Sequence, residues 1–172
     1  MIAASMLFAV AATIPPQTEV LSQVSAGKML CANPDVATKT CSSIASYVVG
    51  KDQTWIETSE ILLPAEQPVT FQLSGVVKIR GSTICGTMSE ADLAKGVVRI
   101  NGSPLSAEQN ATAMSKLITK LKPMAGRKAC EVLRYEDGRL MKYGQVEQVD
   151  INLPGKPVRW ISNSDSYKVA PR

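Results

Sequence analysis

The chain has no histidine among its 172 residues. That one absence removes several chemistries together. Ser-His-Asp and Cys-His catalysis both need an imidazole base, and many metal centres need imidazole ligands. Any catalysis would rest on carboxylate, Lys, Tyr, Ser or Cys side chains. Aromatic residues are few, at 5%, which argues against the stacked rings of a nucleic-acid platform. The net charge of +4, from 19 Lys and Arg against 15 Asp and Glu, is far from the polybasic stretches of nucleic-acid binders. Nucleic acid is therefore not an expected partner. The sequence also lacks a Gly-rich phosphate loop, a G-x-S-x-G elbow and any C-x-x-C pair, the signatures of nucleotide sites, of hydrolase serines, and of zinc or redox centres. No cofactor, no metal ligand and no catalytic residue is assigned.

What is present begins with an uncharged, apolar segment, Met1 to Ile14. It is too short to cross a bilayer as a helix, which takes about 20 residues. It matches the apolar core of a signal peptide, about 7–15 residues. Ala9-Val10-Ala11 supplies a small-x-small cleavage pattern, and Pro15-Pro16 closes the segment. No Lys or Arg precedes the apolar core. The reading is a signal peptide over residues 1–14 and one exported domain over 15–172, with no transmembrane helix in the mature chain. Cys31 is preceded by Lys28-Met29-Leu30, which does not fit a lipid anchor.

Four cysteines stand at 31, 41, 85 and 130. Behind an export signal an even count points to disulfides. Cys31–Cys41 is favoured because the loop between them holds Asn33-Pro34-Asp35, a turn-forming run. Cys85–Cys130 then ties a central strand region to a later one. Each bridge is worth roughly 2–4 kcal/mol.

The rest reads mostly as strands in hairpin order. From Val69 to Arg80 the odd positions are apolar apart from Gly75, and the even ones are polar or charged apart from Val76. That period of two marks a strand with one dry and one wet face. Its length, and Gly75, predict a bulge or bend that breaks it in two. Strands are also predicted over 28–31, 43–49, 54–63, 83–87, 96–100, 129–136, 139–153 and 158–161. Asn101-Gly102 and Asp137-Gly138 supply tight turns, and Gly144 is expected to shift the alternation of its strand. Thr18 to Val24 predicts a short helix, and Ser89 to Asp92 caps another. The main helix opens at the capping box Ser106-Ala107-Glu108-Gln109. It carries Met114, Leu117, Ile118 and Leu121 at i, i+3, i+4 and i+7. The expected fold is α+β: a mostly antiparallel sheet of hairpins, with one amphipathic helix over about 106–121 packed on the dry face of the long strand.

Chemistry is harder to find. The candidate carboxylates are Glu57 with Glu60, Glu131 with Glu136, and Asp137. A hydrolytic pair must face one cleft. Glu57 and Glu60 have opposite parity on one strand and so point to opposite faces. Glu136 and Asp137 sit at a turn, where acidic residues serve local needs. Trp55, Trp160, Tyr47 and Tyr167 could line a ligand groove, though packing is the simpler use of such rings. Lys116, Lys120, Lys122, Arg127 and Lys128 form the densest basic cluster, and helix-dipole complementation accounts for the lysines near the helix end.

The segments Cys41-Ser42-Ser43-Ile44-Ala45-Ser46-Tyr47, Ile84-Cys85-Gly86-Thr87, Val158-Arg159-Trp160 and Tyr167-Lys168-Val169-Ala170-Pro171 resemble small, uncharacterised exported proteins of alphaproteobacteria with two disulfides. The resemblance implies a bacterial, periplasmic or secreted protein with four paired cysteines. It carries over no active-site residue. The expected function is a non-enzymatic binding or envelope-associated module, with a protein or envelope component as partner. Two alternatives are a periplasmic enzyme inhibitor of the lysozyme-inhibitor kind and a carboxylate-based hydrolase of envelope polymers.

Overall fold

The computed structural model describes residues 16–147 and 154–171. The expected signal peptide at 1–14, and the end of the strand expected to reach residue 153, lie outside the described residues.

Helix α1 (Pro16–Ser25) leads into β1 (Met29–Ala32). The chain then runs through β2 (Thr40–Cys41), β3 (Ser43–Val49), β4 (Trp55–Leu63), β5 (Val69–Arg80) and β6 (Thr83–Thr87). An insertion follows: α2 (Glu90–Ala94), β7 (Val97–Ile100), β8 (Ser103–Pro104) and α3 (Ala107–Leu121). β9 (Lys128–Glu136), β10 (Arg139–Val146), β11 (Lys156–Ile161) and β12 (Lys168–Val169) complete it.

Around the sheet the order is β1, β3, β4, β5, β6, β9, β10, β11, and β11 pairs back onto β1. Every one of these pairings is antiparallel. The result is a closed, eight-stranded, up-and-down barrel. This corrects the expected α+β architecture: the fold is mostly β, about half of it strand. The physical reason is the register of β1 on β11, Leu30 opposite Trp160 and Ala32 opposite Val158, which leaves the meander no free edge. The two-residue strands β2 and β12 pair in parallel beside it.

Alternation decides the two faces. Leu30, Ala45, Tyr47, Val77, Ile84, Leu133 and Val158 fill the interior, with Trp55, Ile79, Leu140 and Trp160 packed against them. Val20 and Val24 of α1 join the same core, so α1 covers the end of the barrel where β1 begins. The outer wall is wet, with Lys78, Arg80, Arg134 and Arg159 exposed on it. Charges spread over the wall are unlike the apolar band of a membrane-spanning barrel. Among the described residues no helix is long and apolar enough to cross a membrane.

The second core lies at the other half of β5. Phe71, Leu93, Val98 and Met114 are buried together, with Leu117, Ile118 and Leu121 of α3 around them. The 106–121 helix is therefore real, and its capping box is formed by Ser106 and Gln109. It packs beside the barrel on the α2–β7 insertion, not across a broad sheet face. The dry side of β5 is thus shared: Phe71 and Leu73 go to the helix layer, and Val77 and Ile79 to the barrel. Gly75 does not break the strand, since β5 pairs with β4 without a skip from Val69 to Val77. Gly144 does not shift its strand either, because β10 pairs with β9 residue for residue.

Disulfides join Cys31 to Cys41 and Cys85 to Cys130, the pairing expected from the sequence. The first is buried with Ile161, and Tyr167 packs on it. The second crosses β6 and β9 at directly opposed residues on the outer wall.

The seam between helix layer and barrel has a sharp test at Gly96. A methyl group there would run into the Phe71 ring and lie 3.0 Å from the Leu93 carbonyl oxygen and 3.0 Å from Met114 Cε. Gly96→Ala is expected to lower stability by about 1–3 kcal/mol through overpacking, measured by urea unfolding.

Candidate functional site

The interior of an eight-stranded barrel is just wide enough to be filled by side chains or to hold one small ligand. Here the filling is incomplete. Gly75, Gly86 and Ala129 occupy neighbouring inward positions, and Gly144 faces Glu131 across β9–β10. A side chain added at Gly75 or Gly144 would meet nothing within 4 Å. The small residues leave a cavity of about 200 Å³, with Ile61, Leu73, Val77 and Ile84 among its apolar walls.

The cavity reaches the surface through the barrel wall. On the edge away from β4, β5 pairs with β6 over residues 77–80 and with β7 over 69–72. Residues 73–76 have no strand partner on that edge among the described residues. Outward-facing Ser74 and Val76 line the cavity together with Thr87, Met88 and Asp92, so it passes through this gap. Asp92 sits at the rim, bonded by Ser89 and 3.5 Å from Lys95.

The inner wall is polar. Glu57 on β4 and Glu131 on β9 both line the cavity. The Ser59 hydroxyl donates to Glu57 Oε1 at 2.6 Å. Lys142 of β10 reaches diagonally across the strands to Glu131, Nζ to Oε1 2.6 Å. Tyr47 stands opposite Glu57 in the β3–β4 register, and its ring lies 6.4 Å from Trp160. Three buried atoms in this layer have no protein hydrogen-bond partner: Tyr47 OH, Glu131 Oε2 and Trp160 Nε1. Buried polar groups are ordinarily paired, so unpartnered atoms near an accessible cavity mark a site. Burial, and then the neighbouring Glu131, push the Glu57 carboxyl above the ordinary glutamate range; Ser59 and Lys142 pull the other way. Burial, with Glu57 and Glu131, pushes the Tyr47 phenol well up, so it remains a neutral hydroxyl.

The structure sorts the carboxylates differently from the sequence. Glu57 and Glu60 do point to opposite faces, Glu60 accepting from Thr70 outside the interior set. Glu136 is held on the outer wall by Arg134 and Tyr143, and Asp137 occupies the tight turn. What the sequence reading missed is that Glu57 and Glu131, taken from two different pairs, meet in one cavity. Their inward parity was available; the closure that brings β4 and β9 to face each other was not. Tyr47, Trp55 and Trp160 are packing residues of the barrel, and Tyr167 packs on the Cys31–Cys41 disulfide. Lys116, Lys120, Lys122 and Lys128 are exposed, and Arg127 donates to the Glu147 carbonyl.

A carboxyl whose native pKa is raised binds its proton more tightly folded than unfolded. Over the window from about 4.5, the ordinary value, up to the raised native one, the folded state holds more protons and stability falls as pH rises. Glu57→Gln keeps the acceptor for Ser59 and cannot titrate. It is expected to be more stable than wild type at neutral pH, with the difference vanishing below about pH 4, as read by thermal melts across pH. A constant difference at all pH values would contradict this.

Compared with known proteins, the chain matches no family model and no curated protein, so a functional reading rests on this geometry.

Proposed function

We propose that the protein is a non-enzymatic binding module, exported to the periplasm or beyond, whose barrel takes a small amphipathic molecule through the gap beside β5. The supporting observation is the continuity of the cavity. It runs from the wall gap at residues 73–76 to an inner layer holding the half-buried Glu57 and Glu131. A barrel serving stability alone gains nothing from inward glycines beside half-buried carboxylates, since each unfilled volume and each unpaired polar atom costs free energy. Two disulfides fit an oxidising compartment outside the cytoplasm.

Carboxylate-based hydrolysis is the second reading, because Glu57 and Glu131 share one cavity. Binding is preferred on two grounds. Glu131 is engaged by Lys142, and a volume of about 200 Å³ suits a small group better than a polymer chain lying in a groove.

The test is an NMR titration of the full mature chain with three eight-carbon probes: octylamine, octanol and octanoate. At least one is expected to shift the amides of Gly75, Gly86 and Ala129 saturably. Ala129→Trp, which fills the cavity, is expected to weaken that binding by at least tenfold, the order set by lost burial of several methylenes. If no probe perturbs these amides, the binding reading is wrong.

A further inference from the structure

We infer that the molecule the barrel takes carries a cationic amine at one end and an apolar body at the other. The inference rests on the interior being a binding site and names the chemistry of its occupant.

Three carboxylates line the cavity and its mouth, Glu57, Glu131 and Asp92, and no Lys or Arg does. The nearest cation, Lys142, approaches from β10 and is spent on one oxygen of Glu131. The other oxygen, Oε2, is buried and unpartnered. It is an acceptor with no donor. Tyr47, only 7% exposed, adds a buried hydroxyl without a partner, opposite Glu57 in the β3–β4 register. The groups facing Glu57 are therefore Tyr47 from β3, Ser59 from its own strand, Glu131 from β9 and Lys142 from β10, with Asp92 of α2 at the rim. Across β4–β5 its register partner is Gly75, which offers no side chain. Glu57 and Glu131 line the cavity, Lys142 is held by Glu131, and Lys156, opposite Lys142 in register, is exposed.

An ammonium group answers each of these features. It presents three donors, and the Glu57 and Glu131 carboxylates that line the cavity are its acceptors. It offsets the surplus negative charge of the layer, which in a partly desolvated site favours opposite charge strongly. A carboxylate or phosphate head would meet three acids and be repelled. The remaining walls, Ile61, Leu73, Val77, Ile84 and Met88, suit a short hydrocarbon body. At the mouth Asp92 is paired with Lys95, and Lys78, Arg80 and Lys128 line the adjoining outer pocket, so selection for a cation lies in the inner layer.

The same three probes decide this, because they share a chain length and differ only in the head group. Isothermal titration of the full mature chain at pH 7.5 is expected to rank octylamine tightest, with octanol and octanoate weaker by roughly tenfold or more, the scale of one charge-assisted hydrogen bond. Glu57→Gln, which leaves a neutral acceptor in the same place, is expected to weaken octylamine by about tenfold while leaving octanol within about twofold. Equal affinities, or octanoate ranked first, would overturn the amine assignment and leave the binding reading intact. Octylamine ranked first but unaffected by Glu57→Gln would overturn the role given to the carboxylate layer. No heat and no amide shift with any probe would overturn the binding reading itself.

Discussion

The pairing of β1 with β11 is the contact on which the rest of the structure depends. It joins the first and last barrel strands, Cys31 opposite Arg159 and Ala32 opposite Val158, and it turns a meander of hairpins into a closed wall. Closure changes what alternation means. On an open sheet a small inward residue is filled over by whatever packs on that face. In a closed barrel all inward side chains share one fixed volume, and a small residue leaves a hole that no neighbour can cover. Gly75, Gly86 and Ala129 become functional statements only because the strands carrying them belong to a closed ring.

β5 imposes the second constraint. It serves two cores with one face, so it must exchange β6 for β7 along one edge. The exchange takes residues 73–76 to complete. A strand that leaves a barrel wall to join another layer opens that wall where it leaves, and here the opening coincides with the hollow part of the interior. Gly86 strengthens the coincidence. Its missing side chain keeps the β6 side of the gap thin, and an added methyl would lie 3.0 Å from both the Val76 carbonyl oxygen and Val77 Cγ1.

Local features were legible in the sequence because their causes are local. The N-cap at Ser89 and the capping box at Ser106, the turns at Asn101-Gly102 and Asp137-Gly138, and the alternation of 43–49 and 69–80 each depend on a few adjacent residues. The disulfides were legible from count and spacing. Closure was not, since nothing near Met29 indicates that its partner is Ile161. The roles given to Gly75 and Gly144 failed for a related reason. Read along the chain, a glycine in a strand suggests a bend; read across the barrel, Gly75 lines the cavity and Gly144 is exposed. The site suffered the same loss. Glu57 and Glu131 could each be placed on an inward parity, but their meeting requires knowing that β4 and β9 face each other.

The polar layer is the part of the molecule that local rules oppose. Val77 and Leu133 close the interior on one side of it, and Phe71 and Leu93 pack on the other. An apolar layer between them would be simpler and more stable. Instead burial and the neighbouring Glu131 raise the Glu57 carboxyl above its ordinary range, Lys142 is drawn inward to hold Glu131, and Tyr47 and Trp160 present polar tips without partners. Sequences that agree with their fold at every other level depart from it where something besides stability is served. Here the departure is confined to one layer, it adjoins the stretch of β5 left unpaired between β6 and β7, and two carboxylates line the cavity there. Stability gives no reason for those three features to coincide, whereas the proposed small cationic guest would use each of them.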